Sequence, residues 1–190
     1  MDFSQLIFWR ILIVALCAMK ACDFFLKSVN PTLRRKLYFL ILSWVMLGVI
    51  SMETLGVFLL VSIVAYGLCY WQVRKSLIGA RVTLSFLIPV LLLPLFYYKY
   101  ADFAVNGILN MDVSLVRDLV IPVGISFYSF QIIAFCIDTL IRKEEMPSLM
   151  DYLLFCSFFP QIVAGPIERK NDLLPQIQQF DPRIRAENLN

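Results

Sequence analysis

Histidine is absent from all 190 residues. Without it the chain has no Ser-His-Asp triad, no HExxH zinc site and no histidine general base. Charge is scarce as well. Only 16% of positions are charged and 60% are hydrophobic, where a soluble domain carries about 25% charged and about 45–50% apolar residues. A chain this oily is expected to be an all-α integral membrane protein with the lipid bilayer as its first partner. The net charge of +3 is too small to imply nucleic acid, and no nucleic-acid module is visible, so no nucleic-acid partner is expected. All five cysteines, Cys17, Cys22, Cys69, Cys136 and Cys156, lie in apolar runs without CxxC spacing. They suggest core filling rather than a disulfide framework or a metal site, and no bound cofactor is expected.

The apolar runs, taken in order, predict a polytopic membrane protein of about five transmembrane helices, one short re-entrant helix and an interfacial C-terminal helix. The first span, 6–26, ends in Lys20, Asp23 and Lys27 rather than a small-residue cleavage site, so it reads as retained and not as a signal peptide. A basic connector, 27–36, turns at Asn30-Pro31. Spans follow at 37–52 and 55–71, joined at Glu53-Thr54, and at 82–98, where Pro89 and Pro94 predict kinks. Tyr97, Lys99 and Tyr100 mark a membrane surface, and 101–118 reads as an external loop. Residues 1–118 thus form a scaffold, 119–170 the region that carries chemistry, and 171–190 an interfacial segment that looks cut short. Within that last segment Leu173, Leu174, Ile177 and Phe180 share a helical face.

Polar residues interrupt the oil in the middle region. Wound at 100° per residue, the expected helix 119–141 brings Gly124, Tyr128, Gln131, Phe135, Asp138 and Arg142 within about 80° of arc. A charge such as Asp138 costs about 2.5–3.5 kcal/mol at the centre of a lipid-facing helix, so this seam should face protein or water. After it, Ser148 and Asp151 resemble a capping box opening a helix at 149–163. Fifteen residues are too few to cross a hydrocarbon core of about 30 Å, and Pro160-Gln161 interrupts them, so a re-entrant element is expected. Such a segment must be buried in protein or line a cavity.

Basic residues set the orientation. Lys27, Arg34, Arg35, Lys36, Arg74, Lys75, Arg81, Arg142 and Lys143 collect on one side if the connectors alternate, against Lys99 and Arg117 on the other. The first group should be cytoplasmic and the N-terminus outside.

The hydroxyls and amides of Ser126, Tyr128, Ser129, Gln131 and Gln161 suit two roles on chemistry alone. They could orient a polar substrate or water, or they could glue helices together. No nucleophile–base pair, paired carboxylates or phosphate loop accompanies them. The stretch Pro122-Val123-Gly124-Ile125-Ser126-Phe127-Tyr128-Ser129-Phe130-Gln131, then Ile137-Asp138, then Phe158-Phe159-Pro160-Gln161-Ile162-Val163-Ala164-Gly165-Pro166-Ile167, resembles the N-terminal half of membrane-bound O-acyltransferases. The likeness is to the bacterial alginate O-acetyltransferase-like branch, and Leu173-Leu174-Pro175-Gln176-Ile177 extends it.

The resemblance implies a tunnel through a bacterial inner membrane. An acyl donor, an acyl-CoA or an acyl-carrier protein, would act as co-substrate on the cytoplasmic side. An extracytoplasmic partner protein would pass an acyl group, acetyl in this branch, toward hydroxyls of an exported polysaccharide. By position Gly124, Ser126, Tyr128, Gln131 and Asp138 would sit on the helix beside the tunnel, and Phe159, Pro160, Gln161, Gly165 and Pro166 on the re-entrant element bordering it. No residue here is assigned a catalytic role. The family's acid/base histidine lies on a later helix, so these 190 residues are expected to be an N-terminal part that is inactive alone. Two other readings stand beside this one: a non-catalytic membrane scaffold or degenerate acyltransferase remnant, and a small transporter, since a half-helix beside a polar seam is also a transporter device.

Overall fold

The computed structural model describes residues 30–75, 79–108, 121–164 and 168–179, together with 10, 13–15, 17 and 18. No strand occurs among them. Seven helices follow in order: α1 (Pro31–Ile50), α2 (Met52–Lys75), α3 (Ala80–Asp102), α4 (Ile125–Leu140), α5 (Leu149–Ser157), α6 (Phe159–Ala164) and α7 (Lys170–Gln179), with a π-helical turn, Phe103–Ile108, continuing α3. The described residues of the expected first span are helical, and the Tyr38 hydroxyl donates to the Ala15 carbonyl. The remainder of that span, and the Lys20–Asp23 pair, lie outside the described residues.

Local chemistry moves several boundaries from where hydropathy put them. The second span starts at Pro31 rather than Leu37, because Asn30 caps it: its side chain accepts the Thr32 N–H at 3.0 Å, and Pro31 occupies the first turn, where a missing N–H costs nothing. Arg34, Arg35 and Lys36 therefore ride on helix rather than in a loop. The hairpin to α2 is tighter than expected and turns at Ser51, whose hydroxyl accepts the Thr54 N–H at 3.2 Å. α3 runs unbroken through Pro89 and Pro94 and into the π-helical turn, so the first part of the expected external loop is helical; 109–120 lie outside the described residues.

Two helices, Met52–Lys75 and Ala80–Ile108, are long and apolar enough to cross a membrane. Their outward faces are as apolar as their inward ones. On α3, Leu84, Leu87, Leu91 and Leu95 pack inward while Phe86, Val90, Leu93 and Phe96 are exposed. On α1, Leu33, Leu37, Ile41, Val45 and Val49 make an exposed stripe at four-residue spacing. A helix apolar all round suits an apolar solvent.

α4 is the centre. It packs against α2, α3 and α5, and Phe130 is the one exposed residue of its sixteen. Where the surroundings are lipid, helices associate through close packing and hydrogen bonds rather than by escaping water. Aromatic rings supply much of that packing: Tyr128 stands edge-on to Phe58 at 5.4 Å, Phe135 meets Tyr152 at 4.5 Å, and Tyr152 meets Tyr66 at 5.1 Å. The Tyr152 hydroxyl donates to the Ser62 carbonyl at 3.0 Å and ties α5 to α2. α7 docks on α1 and α5 with Leu173 and Ile177 buried; Phe180 and 181–190 lie outside the described residues.

Candidate functional site

The seam helix begins later than periodicity alone predicts. Val123 and Gly124 form a turn in which the Ile125 N–H donates to the Pro122 carbonyl at 3.2 Å, and Gly124, at φ +73°, delivers the chain into α4 at Ile125. This left-handed conformation favours glycine. A second constraint acts at the same position, for a Cβ on Gly124 would stand 2.4 Å from the Ile162 Cγ2. The opening of α4 is therefore pressed directly onto α6, joining the two stretches that stood out in the sequence.

Along the seam burial follows the general burial of α4, on which Phe130 alone is exposed. Tyr128, Gln131, Phe135 and Asp138 are all buried, and Arg142, just beyond the helix, is exposed. Arg142 and Asp138 form an ion pair one turn apart at 3.2 Å.

The short helix expected at 149–163 is two helices with a break at Phe158 (φ −57°, ψ 103°). Ser148 caps α5 as its Ser-x-x-Asp pattern implies, accepting the Asp151 N–H at 3.2 Å and donating to the Asp151 carboxylate at 2.8 Å. Lys36 from α1 holds that carboxylate at 2.6 Å. The helix does not continue because Pro160 lacks an N–H and its ring would collide with the Cys156 carbonyl four residues back. Pro160 instead occupies the first turn of α6, where it is tolerated.

Breaking a helix here exposes backbone groups that must be re-paired. In a continuous helix the Phe159 N–H would bond to the Phe155 carbonyl. Both halves of that bond are taken over by side chains from other helices. Gln131 Nε2 donates to the Phe155 carbonyl at 2.9 Å, and the Phe159 N–H donates to Ser43 Oγ at 3.2 Å, while Ser43 itself donates to the Phe39 carbonyl at 2.7 Å. Gln131 also donates to Gln161 Oε1 at 2.9 Å. α1, α4, α5 and α6 thus meet at one buried polar junction.

Pairing at this junction is incomplete. Gln131 Oε1 and Gln161 Nε2 are buried there without a hydrogen-bond partner, as are Tyr128 Oη and Ser129 Oγ elsewhere on α4. An unpaired buried polar group costs about 1–3 kcal/mol. Such groups cluster where a water, a substrate group or strain is accommodated.

The expected site residues therefore divide. Gly124, Tyr128, Gln131 and Gln161 share the junction or the helix faces that build it. Ser126, half-buried, lines a cleft of about 380 Å³ with Lys99, Pro122, Val123, Phe130 and Gly124, which thus borders both the cleft and α6. Asp138 stands two turns further along α4, about 10 Å of rise from Gln131. Phe159 packs against Met46 of α1, and Pro160 is exposed. Gly165 and Pro166 lie outside the described residues. Sequence reasoning missed Ser43, Phe155 and Ile162. Ser43 sits alone in an apolar run, and Phe155 contributes a carbonyl that any residue would supply. Pro160 was the available signal, since a proline in an apolar helix predicts that partners for freed backbone groups exist elsewhere.

Beyond Asp138 the connector to α5 is clamped. Lys143 takes φ +55°, and buried Lys170, opening α7, donates to the Glu145 carbonyl at 2.6 Å and lies 3.4 Å from the Glu144 carboxylate. Asn171 adds a bond to Glu144 at 3.0 Å. No group of three or more metal-ligating side chains occurs among the described residues.

The chain is similar to bacterial O-acetyl-transferring proteins. It is 30% identical over 169 residues, 83% of its length, to a probable alginate O-acetylase of Azotobacter vinelandii. It is 32% identical over 99 residues, 47% of its length, to a probable alginate O-acetylase of Pseudomonas aeruginosa. With a peptidoglycan O-acetyltransferase of Helicobacter pylori it shares 30% identity over 109 residues, 43% of its length. The chain spans 33%, 18% and 21% of those relatives' own lengths. No protein-family model and no solved structure matches it. The resemblance to membrane-bound O-acyltransferases of the alginate O-acetylase branch is borne out.

Proposed function

We propose that this chain, a relative of the alginate and peptidoglycan O-acetylases, forms the scaffold and part of the substrate path of a membrane-bound O-acyltransferase that moves an acetyl group toward hydroxyls of an exported polysaccharide. The observation that carries the reading is the junction of α4 and α6. Both stretches that resemble the family pack on one another there, through Gly124 on Ile162 and Gln131 on Gln161. A helix broken at membrane depth and held open by polar side chains belongs where irregular backbone lines a path or is buried in protein.

In this reading the first span, α1, α2 and α3 cross the bilayer, α4 completes a fifth crossing only together with the non-helical lead-in 121–124, since its sixteen residues rise about 24 Å, α5 and α6 form the re-entrant element, and α7 lies at the interface. Residues 1–118 are the scaffold, 119–170 the motif region and 171–190 the interfacial segment. The N-terminus is outside and the basic connectors face the cytoplasm of a bacterial inner membrane. The acyl donor, an acyl-CoA or an acyl-carrier protein, meets the cytoplasmic face, and an extracytoplasmic protein passes the group to the polysaccharide. Gly124, Ser126, Tyr128, Gln131, Asp138, Phe159, Pro160, Gln161, Gly165 and Pro166 are the residues we assign to the path. The acid/base group is not among these 190 residues, which contain no histidine, and a neutral-range base is the group this chemistry calls for.

A second reading keeps the same junction, as that of a non-catalytic membrane scaffold that uses it to recognise a partner. The two separate on one assay. Native membranes carrying the gene product are supplied with radiolabelled acetyl donor and scored for label in alkali-labile esters of envelope polysaccharide, against membranes from a deletion strain. Label that depends on the gene supports the acyltransferase. Equal label in both, with the product present, supports the scaffold.

A further inference from the structure

The end at which α2 hands over to α3 gathers positive charge. Only four residues separate the two helices, so Arg74 and Lys75 at the close of α2 are brought near Arg81 in the first turn of α3, and all three are exposed. The sequence has no Asp or Glu between Glu53 and Asp102, and among the described residues none of the three cations forms a salt bridge. Arg81 is also set against its own helix, because a cation in a first turn opposes the helix dipole. A negative group from outside the chain would relieve both.

Arg74 is more than a charge at a helix end. Its guanidinium lies 5.0 Å over the Tyr70 ring, Tyr70 lies nearly parallel to Tyr66 at 6.2 Å and 13°, and the Tyr66 hydroxyl donates to the Pro147 carbonyl at 3.0 Å. The three side chains recur at four-residue spacing on one face of α2, where neighbours of that spacing meet. One end of this column is thereby pinned to the connector that opens α5. A guanidinium seated on a ring still has its N–H fork to offer to a phosphate. Positive-inside topology accounts for basic residues at this end; it does not account for the column.

What lies below the cations narrows the partner. One turn in from Arg74 stands exposed Trp71, with Leu68 beyond it, and on α3 exposed Val82 and Phe86 follow Arg81. From the helix ends toward their middle the surface thus passes from positive charge through an interfacial aromatic to bare apolar side chains. Both helices are long and apolar enough to cross a membrane, so that order runs from headgroup depth to acyl-chain depth. A soluble anion matches only the charge. A molecule that carries an anionic phosphate above acyl chains matches all of it.

We propose that Arg74, seated on the Tyr70–Tyr66 column and flanked by Lys75 and Arg81, binds the phosphate of an anionic phospholipid whose chains lie along Trp71, Leu68 and Phe86. The site needs α2 and α3 to cross a bilayer; it does not depend on acyl transfer.

Native mass spectrometry of the full chain from detergent, offered phosphatidylglycerol and phosphatidylcholine of matched acyl chains, tests it. The wild type should retain phosphatidylglycerol in preference, and Arg74→Gln should weaken that binding about fivefold, the share of one basic residue beside an anionic headgroup. Arg74→Lys and Tyr70→Leu keep the charge and lose the seated guanidinium. They should weaken binding several-fold as well, and they carry the test if the glutamine variant fails to fold. Lys143→Gln removes a cation after α4, outside the column, and should leave the affinity unchanged. Coenzyme A and glycerophosphoglycerol, the headgroup without its chains, are added as competitors and should not displace the lipid at equal concentration. No preference for phosphatidylglycerol, wild-type affinity in Arg74→Lys and Tyr70→Leu, or a Lys143→Gln loss equal to that of Arg74→Gln would leave diffuse charge in place of a site and overturn the proposal. Displacement by either competitor would make the surface a site for a soluble anion and overturn it too.

Discussion

Gly124 is constrained twice, by its φ of +73° and by the Ile162 methyl 2.4 Å from where a Cβ would stand. Gly124→Ala should therefore destabilise the chain by about 1–3 kcal/mol from overpacking, with a further cost of about 1 kcal/mol for the left-handed backbone. Adding Ile162→Ala removes the clashing methyl and should recover the steric part while the conformational part remains. Unfolding midpoints of the two single variants and the double in detergent would show this as a favourable coupling, and strict additivity would contradict it. Gln131 makes a different kind of contribution. Gln131→Leu leaves the Phe155 carbonyl unpaired and should cost about 1–3 kcal/mol, whereas Phe130→Leu, on the exposed side of the same helix, should change the midpoint little. Helical period put Tyr128, Gln131, Phe135 and Asp138 on one face, and all four are buried, but so is most of α4, where only Phe130 is exposed, so burial does not single out that face. Its partners were not legible. The Phe155 acceptor is backbone, and Ser43 meets Phe159 across 116 residues of chain, a pairing no local pattern encodes.

The element that decides the architecture is the break between α5 and α6. Three features keep it: Pro160 forbids a continuous helix, Gln131 occupies the Phe155 carbonyl, and Ser43 occupies the Phe159 N–H. Removing both side chains in Ser43→Ala/Gln131→Leu leaves both backbone groups unpaired while the proline still prevents them from meeting. Adding Pro160→Ala lets them bond to one another. The triple variant should consequently be more stable than the double, even though Pro160→Ala alone has no such gain to make. Hydrogen exchange at the Phe159 amide would report the healed bond directly, and a triple variant no better protected than the double would refute this account of the break. Proline, capping residues and hydropathy made the existence of this short element readable. They did not reveal that it is two helices, because the position of the break depends on which neighbouring helices can re-pair the backbone. The helix starts show the same division. Asn30-Pro31 could be read as a turn or as a cap, and the Thr32 N–H bonded to Asn30 identifies a cap; Asn30→Ala should cost about 1 kcal/mol there.

Across the whole molecule, apolar exposure and charge distribution are the grounds for the topology proposed above. α2 and α3 are apolar on both inward and outward faces. Arg74 and Lys75 end α2, Arg142 and Lys143 follow α4, and Lys170 clamps the connector between α4 and α5. Reporter fusions that are active only in the cytoplasm should therefore be active after Lys75 and after Lys143 and silent after Ile108; the reverse pattern would invert the orientation proposed here. All-helical class, the two long apolar spans and the likeness to O-acetylases were legible from composition, hydropathy and the two motif stretches. The packing of those stretches on one another emerged only from the fold. Whether that packing serves acyl transfer is open to direct measurement. The most direct measurement is the rate of acetyl incorporation into envelope polysaccharide by native membranes carrying Gln131→Leu, with Asn30→Ala as a variant of comparable stability remote from the junction, each normalised to the protein present. Gln131→Leu should lose up to about a hundredfold, the loss that an ångström's misplacement can cause, while Asn30→Ala retains its rate. Equal rates in both variants would contradict this and reduce the junction to a structural contact.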